Sequence, residues 1–236
     1  YMVIKKSKYL SMNPGIMGIS KKEIGQLLSI GIPASITNLM QSLGVTLTNR
    51  YLLEYGSDKI AAMGIAMKIN MIAVLLLVGF AFGAQPLIGY NYGAKKTKRL
   101  FASIRFAYLF ECSLALVLSI ILGLLSPWIF GKFINDPSML ETGTLMLRLQ
   151  LVSMVFIGFI MVSTVIFQSL GKAFAALILS ISRQGIIFFL VIVIANKVAH
   201  YHGVIAAQAI ADILTCLLAV GIVLQVFKTL KGCESS

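Results

Sequence analysis

Few side chains in this sequence could do chemistry, and the most informative are the opposite charges Arg183 and Asp212. Each lies inside an apolar run, about eleven and about fifteen residues from the basic end of its run. At 1.5 Å per helical residue their depths differ by only about 6 Å. An unpaired charge at the centre of a bilayer costs at least about 2.5–3.5 kcal/mol on insertion scales. The two therefore have reason to meet, directly or through Gln184 or Gln208. Two roles fit such a pair: a clamp between neighbouring helices, or an Asp212 that takes up a proton or ion while Arg183 tunes its affinity. His200 and His202 are spaced two apart and lack a third ligand, so they read as solvated loop residues and not as a metal site. No His-Glu-x-x-His, P-loop or Gly-x-Ser-x-Gly pattern occurs. Neither catalysis nor an organic cofactor is expected. Cys112 and Cys216 sit in apolar runs and Cys233 in the tail, each as a free thiol.

Other polar groups stand at membrane depth. Asn38 and Gln41 are three apart on one helix face, and Asn49, eight beyond Gln41, is close to the same stripe. They suit the lining of a transport pathway or hydrogen bonding between helices, and the spacing leaves both open. Met154, Phe156 and Met161 suit an adaptable apolar pocket, or plain packing. Lys68 and Arg148 lie within about two or three turns of the expected outer surface and could snorkel to it. Glu111 and Arg105 stand similarly near the inner surface.

The elements that must position these residues follow from composition. Of 236 residues, 58% are hydrophobic and 12% charged, with a mean hydropathy of +0.93. Ordinary soluble domains are about 45–50% apolar and about 25% charged. That difference excludes a water-soluble enzyme, a disordered chain and a disulfide-stapled secreted domain. Apolar windows place six spans at about 25–48, 60–88, 106–126, 145–170, 173–195 and 203–227. An all-α, polytopic six-helix membrane bundle is expected, with the lipid bilayer as its first partner. Pro33 should distort the early turns of the first span, and Gly79 and Gly83 have the GxxxG spacing that lets another backbone approach.

Net charge is +12, but the basic residues lie in short breaks between apolar runs, which argues for membrane orientation and not for nucleic acid. Alternate breaks give one side Lys5, Lys6, Lys8, Lys21, Lys22, Lys95, Lys96, Lys98, Arg99, Lys172, Lys228 and Lys231. The other side receives Arg50, Lys59, Lys132 and Lys197. Twelve against four puts both ends in the cytoplasm. No cleavable signal peptide is expected in the first twenty residues, which are basic and broken by Pro14 and Gly15. The opening YMVIKKSK looks like the end of an earlier helix, so the chain reads as the second half of something longer.

The most specific stretch is AFGAQPLIGYNYGAKK at 81–96. It is a helix end: Pro86 loosens the last turns, Gly89 and Gly93 permit a tight exit, and the lysines anchor it at headgroups. Gln85, an amide in an apolar run, needs an internal partner. Gln85-Pro86 followed by Gly89-Tyr90-Asn91-Tyr92-Gly93 strongly resembles the multidrug and toxic compound extrusion (MATE) family of cation-coupled antiporters, in its MepA-like bacterial branch. IFQSLGKAFAALILSISRQG at 166–185 and HGVIAAQAIADILT at 202–215 agree with the same family.

The resemblance implies a chain corresponding to the second of two six-helix lobes around a central cavity. Residues 1–24 would be the end of a preceding helix and the cytoplasmic interlobe linker, 25–228 the lobe, and 229–236 a cytoplasmic tail. It implies efflux of small lipophilic or cationic compounds in exchange for Na+ or H+, in the bacterial plasma membrane, with the missing N-terminal lobe as partner. A lipid-linked saccharide flippase of the same superfamily and a non-transporting membrane subunit are the alternatives. Some branches of the family place cation-binding carboxylates in the first and fourth helices of this lobe. The runs 25–48 and 145–170 contain no Asp or Glu.

Overall fold

The computed structural model describes residues 21–134 and 136–232, and all regular structure among them is helical. The opening YMVI, the Lys5, Lys6 and Lys8 cluster, Asn135 and Cys233 lie outside the described residues. By its internal contacts the chain divides into residues 1–36 and residues 37–236. The described part of the first unit, 21–36, is helical. The packing described below is that of the second.

The helices are α1 (Lys21–Leu53), α2 (Ser57–Gly93), α3 (Thr97–Gly131), α4 (Pro137–Val152), α5 (Met154–Ser169), α6 (Ala173–Ile181) and α7 (Ile187–Gly232), with a π-helical turn at Ser182–Ile186. Among the described residues, four stretches, and not the six expected, are long and apolar enough to cross a membrane: Ser57–Gly93, Thr97–Gly131, Pro137–Ser169 and Phe174–Lys228. The last is folded on itself. His200 leaves helical geometry at φ 48° and ψ −127°, a Cβ on Gly203 would collide with the Ala195 carbonyl, and Arg183 touches Asp212 across the break. The two arms of α7 therefore lie side by side and cross separately. α1 has the length, 33 residues, but Asn38, Gln41, Thr46 and Asn49 dilute its apolar density. The chain is an all-α polytopic membrane bundle.

Two expectations change here. The break at 196–202 is not a loop but a reversal centred on His200 inside continuous helix. Gly79 and Gly83 meet no neighbour within 4 Å, so no helix among the described residues uses their close-approach face. Close approaches occur elsewhere. A Cβ on Gly185 would stand 3.0 Å from Met40 Sδ, and one on Gly44 would stand 3.5 Å from the Phe188 ring, so α1 crosses the π-turn at a pair of glycines.

The exit from α2 also differs. Gly93 is the last helical residue, and the left-handed conformation falls at Lys95, φ 53°. Lys95 N–H donates to the Tyr92 carbonyl at 3.0 Å and Lys96 N–H to the Asn91 carbonyl at 3.0 Å, a Schellman closure. The α5–α6 turn repeats the design. Gly171, φ 71°, donates to the Gln168 carbonyl at 3.1 Å, and Lys172 to the Phe167 carbonyl at 2.8 Å. The turns are neighbours, because the Gln85 amide donates to Gln168 Oε1 at 3.4 Å and Ser169 Oγ to the Gln85 carbonyl at 3.3 Å. Pro127 shows the complementary repair. Proline cannot donate to the carbonyl four residues earlier. That carbonyl, on Gly123, instead accepts from Ser126 Oγ at 2.7 Å and from Arg148 Nε at 3.3 Å.

Two apolar cores fill the second unit. One, toward the lysine-poor end, holds Leu77, Phe130, Leu147, Met154, Ile192 and Ala211. The other, toward the two Schellman turns, holds Ile88, Ile104, Ile166, Phe167, Leu179 and Val223. Between them runs a thin layer of buried polar side chains: Glu111, Ser153, Asp212 and Thr215.

Candidate functional site

The polar layer is built by three departures from ideal helix. The run expected as one helix over 145–170 is broken at Ser153, which ends α4 and begins α5. The run over 173–195 is widened by the π-turn at Ser182–Ile186. The third departure is the reversal at His200. A π-turn is often found where a side chain must be re-aimed. Here it carries Arg183 to Asp212.

Asp212 is wholly buried. Its Oδ1 accepts from Arg183 Nε at 2.7 Å and from Gln208 Nε2 at 3.1 Å, and its Oδ2 lies 3.0 Å from Ser153 Oγ. Ser153 Oγ is also 2.9 Å from the Gln150 carbonyl. One hydroxyl proton cannot serve both, and the carboxylate is the stronger acceptor. Beside the cluster, the Gln150 amide donates to Met63 Sδ at 3.1 Å, which brings α2 into it. Arg183 is about one-tenth exposed. The arrangement is compact and charge-balanced. It can tie four segments together, and it can also hold a proton in place of the arginine's charge.

The sequence-expected residues are distributed unevenly. Gln208 joins the pair, while the Gln184 side chain is half-buried and is not among the donors to Asp212. Met154 is fully buried in the first core and faces no opening. Phe156 and Met161 are half-buried. Asn38, Gln41 and Lys68 are exposed and Asn49 is half-buried, so α1 presents an amide stripe on the outside of this bundle. In the 81–96 stretch, Asn91 is buried and donates to the Leu87 carbonyl at 2.9 Å and to Ser103 Oγ at 3.3 Å, locking α2 to α3. Tyr90 and Pro86 are exposed and Gly89 is half-buried. Pro86 lies within α2, which continues to Gly93. His200 and His202 are both exposed, and no group of three metal-ligating side chains occurs among the described residues.

Ser153 was not legible in the sequence. A serine within an apolar run carries no spacing signal, and only the helix break aims it. Glu111 lies on α3 about 21 Å along the helix from Thr97 and is buried.

The MatE family profile matches residues 33–194, more than half of the chain. The chain belongs to the MatE family. This MatE chain is 27% identical over 220 residues to the multidrug export protein MepA of Staphylococcus aureus strain MRSA252, covering 93% of this chain and 48% of that protein. It is 24% identical over 220 residues to MepA of Staphylococcus saprophyticus, with the same coverage. It thus spans about half the length of the relatives it matches. Among solved structures, it superimposes on a MATE protein in the bent conformation with a TM-score of 0.86 and 20% identity, covering 100% of this chain and 53% of that one. The Vibrio cholerae MATE transporter VcmN in the bent form gives a TM-score of 0.78 at 18% identity, covering 94% and 48%. At such identities the structures speak for the fold of this MatE chain alone.

Proposed function

We propose that this MatE chain is one lobe of a secondary active multidrug exporter that moves small lipophilic or cationic compounds out of the cell in exchange for Na+ or H+. The observation that carries the reading is the match to the MepA export proteins across 93% of this chain and 48% of theirs. A second lobe would supply the other wall of a central cavity. The exposed Asn38–Gln41 stripe of α1 and the exposed Lys68 of α2 are the groups this lobe would offer to it. The twelve-to-four distribution of basic residues supports cytoplasmic ends for the described bundle in a bacterial plasma membrane.

Within this reading, Arg183, Asp212, Gln208 and Ser153 form a structural clamp that keeps the lobe rigid while it rocks. The runs 25–48 and 145–170 carry no carboxylate, so a coupling ion would bind at another place. Dye efflux by the full-length protein in vesicles, with Na+ and proton gradients imposed separately, tests the proposal. Efflux driven by one gradient supports it, and no efflux under either sinks it.

A further inference from the structure

The buried polar layer contains a second carboxyl that the Asp212 cluster does not use. Glu111 sits on α3 facing α5, where a Cβ on Gly158 would stand 3.4 Å from Glu111 Cγ and 3.4 Å from Ala115 Cβ. The residue is 1% exposed, and its Oε1 is buried with no hydrogen-bond partner. On α3 it lies between the exposed Arg105 and the exposed Trp128, whose ring carries Lys132 Nζ at 5.5 Å as an interfacial anchor would. These two residues bracket roughly the 30 Å of a hydrocarbon core, so Glu111 is inside it.

Among the described residues no cation forms an ion pair with this carboxyl. The ion pairs among the described residues are Lys59–Asp58 and Arg183–Asp212. From its own helix the nearby titratable groups are Tyr108 and Cys112. Tyr108 is already hydrogen-bonded to Ser163 Oγ of α5 at 2.9 Å. α7 contributes Cys216, which stands near Cys112 and Asp212. α5 has no titratable side chain. α2 reaches this level through Phe80, in contact with Phe110, and its residues 71–84 are all apolar or glycine. α4 meets α3 only farther along, where Leu151 accepts from Ser119 and Arg148 donates to Gly123. The tyrosine and both thiols are ordinarily neutral at neutral pH. An ionised carboxylate in such a place has no counter-charge and no donor to Oε1, and burying that charge costs far more than burying the neutral acid.

We propose that Glu111 is a proton-binding site of the lobe. Its carboxyl is protonated in this conformation and releases the proton when α3 and α5 separate enough to admit water. The O–H bond breaks heterolytically, the electron pair stays on the carboxylate, and the proton passes to water. Closure of the Gly158 contact requires reprotonation from water before the carboxyl is buried again. The glycine is what lets the two helices close over the acid. This inference rests on the transport reading for its role in the cycle, but not for the protonation itself.

Two measurements on the full-length protein in vesicles test it. The infrared difference between the wild type and Glu111→Gln at neutral pH is expected to lose one carbonyl band of a protonated, deuterium-sensitive carboxylic acid. Loss of a carboxylate band instead would overturn the proposal. Should Glu111→Gln fail to insert, Glu111→Asp carries the same test, with a shifted acid band in place of a lost one. In dye efflux, Glu111→Gln should retain dye binding and lose the response to an imposed proton gradient. An unchanged response in that variant would overturn the carrier role. A wild type that moves no dye under any gradient would sink the transport reading and the carrier role together, while the infrared band still decides where the proton is.

Discussion

Asp212 accepts from three side chains on three segments, so substitutions around it differ in what they leave behind. Asp212→Asn strands the buried Arg183 charge, and breaking one partner of a buried pair costs about 3–5 kcal/mol. The expected outcome is a variant of low abundance with a markedly lowered unfolding temperature in detergent. Ser153→Ala removes only one of three donors to Asp212, and a loss of about 1 kcal/mol is expected in the same assay. The exchanged pair Arg183→Asp with Asp212→Arg separates the two roles open to the cluster. It should regain much of the stability if the pair is a clamp, since charge balance is kept. Were Asp212 the site that takes up a proton, the exchange would restore stability without ion-driven efflux. Stability that stays as low as in Asp212→Asn would count against a pairwise clamp altogether.

At the scale of elements, the two Schellman turns make a matched experiment. Lys95 and Gly171 occupy the same left-handed position, and a side chain there costs roughly 1–2 kcal/mol relative to glycine. Lys95→Gly is therefore expected to raise stability by about 1 kcal/mol, and Gly171→Lys to lower it by a similar amount. Thermal unfolding of the two variants in one detergent checks both signs, and a destabilising Lys95→Gly would refute the strain argument. The start of α4 gives a pH-dependent case. Asp136 caps the helix by accepting from Ser138 N–H and Ser138 Oγ, both at 2.9 Å, with Pro137 in the first turn, where its missing donor is not needed. Those bonds hold the Asp136 carboxyl below the usual range. A depressed folded value means that the cap's contribution is complete above the ordinary aspartate pKa and is lost as pH falls through the depressed value. The protection of amides at the α4 start, relative to their intrinsic exchange rate at each pH, should therefore be unchanged by mild acidification and fall only in strong acid. In Asp136→Ala that protection should be low at every pH.

For the whole molecule, the governing fact is that an outward-facing amide stripe and the exposed Lys68 lie on this bundle. Alternating access needs one bundle to rock against another. The described bundle, expressed alone, is expected to insert in the membrane but to confer no resistance to toxic cations unless two copies assemble. Gradient-driven dye efflux by the isolated lobe, with its monomeric state verified, would refute this. Topology is checked with an impermeant thiol reagent. Cys233 should resist labelling in intact cells and react after permeabilisation, and labelling from outside would reverse the orientation.

Composition and hydrophobic periodicity determine the class of fold here, because twenty-residue apolar runs have no other stable disposition than a membrane helix; the six expected spans appear as four long apolar helical stretches among the described residues. The need for a partner was likewise legible at Arg183 and Asp212, since a buried charge in an apolar run is too costly to leave alone. The tertiary structure alone decided what surrounds that pair. Ser153 reaches Asp212 only because a helix breaks beneath it, and Arg183 is aimed by a π-turn that α1 permits by crossing at Gly44 and Gly185. The burial of Glu111 against Gly158 depended on how α3 packs on α5, and the start of α3 is set by turn geometry at Lys95 and Lys96 that a run of lysines does not announce. The break between the runs 173–195 and 203–227 was legible, but nothing announced a tight reversal at His200 within helix. The reversal stands because Ala195 and Gly203 pack so closely that the two arms of α7 hold the strained residue in place.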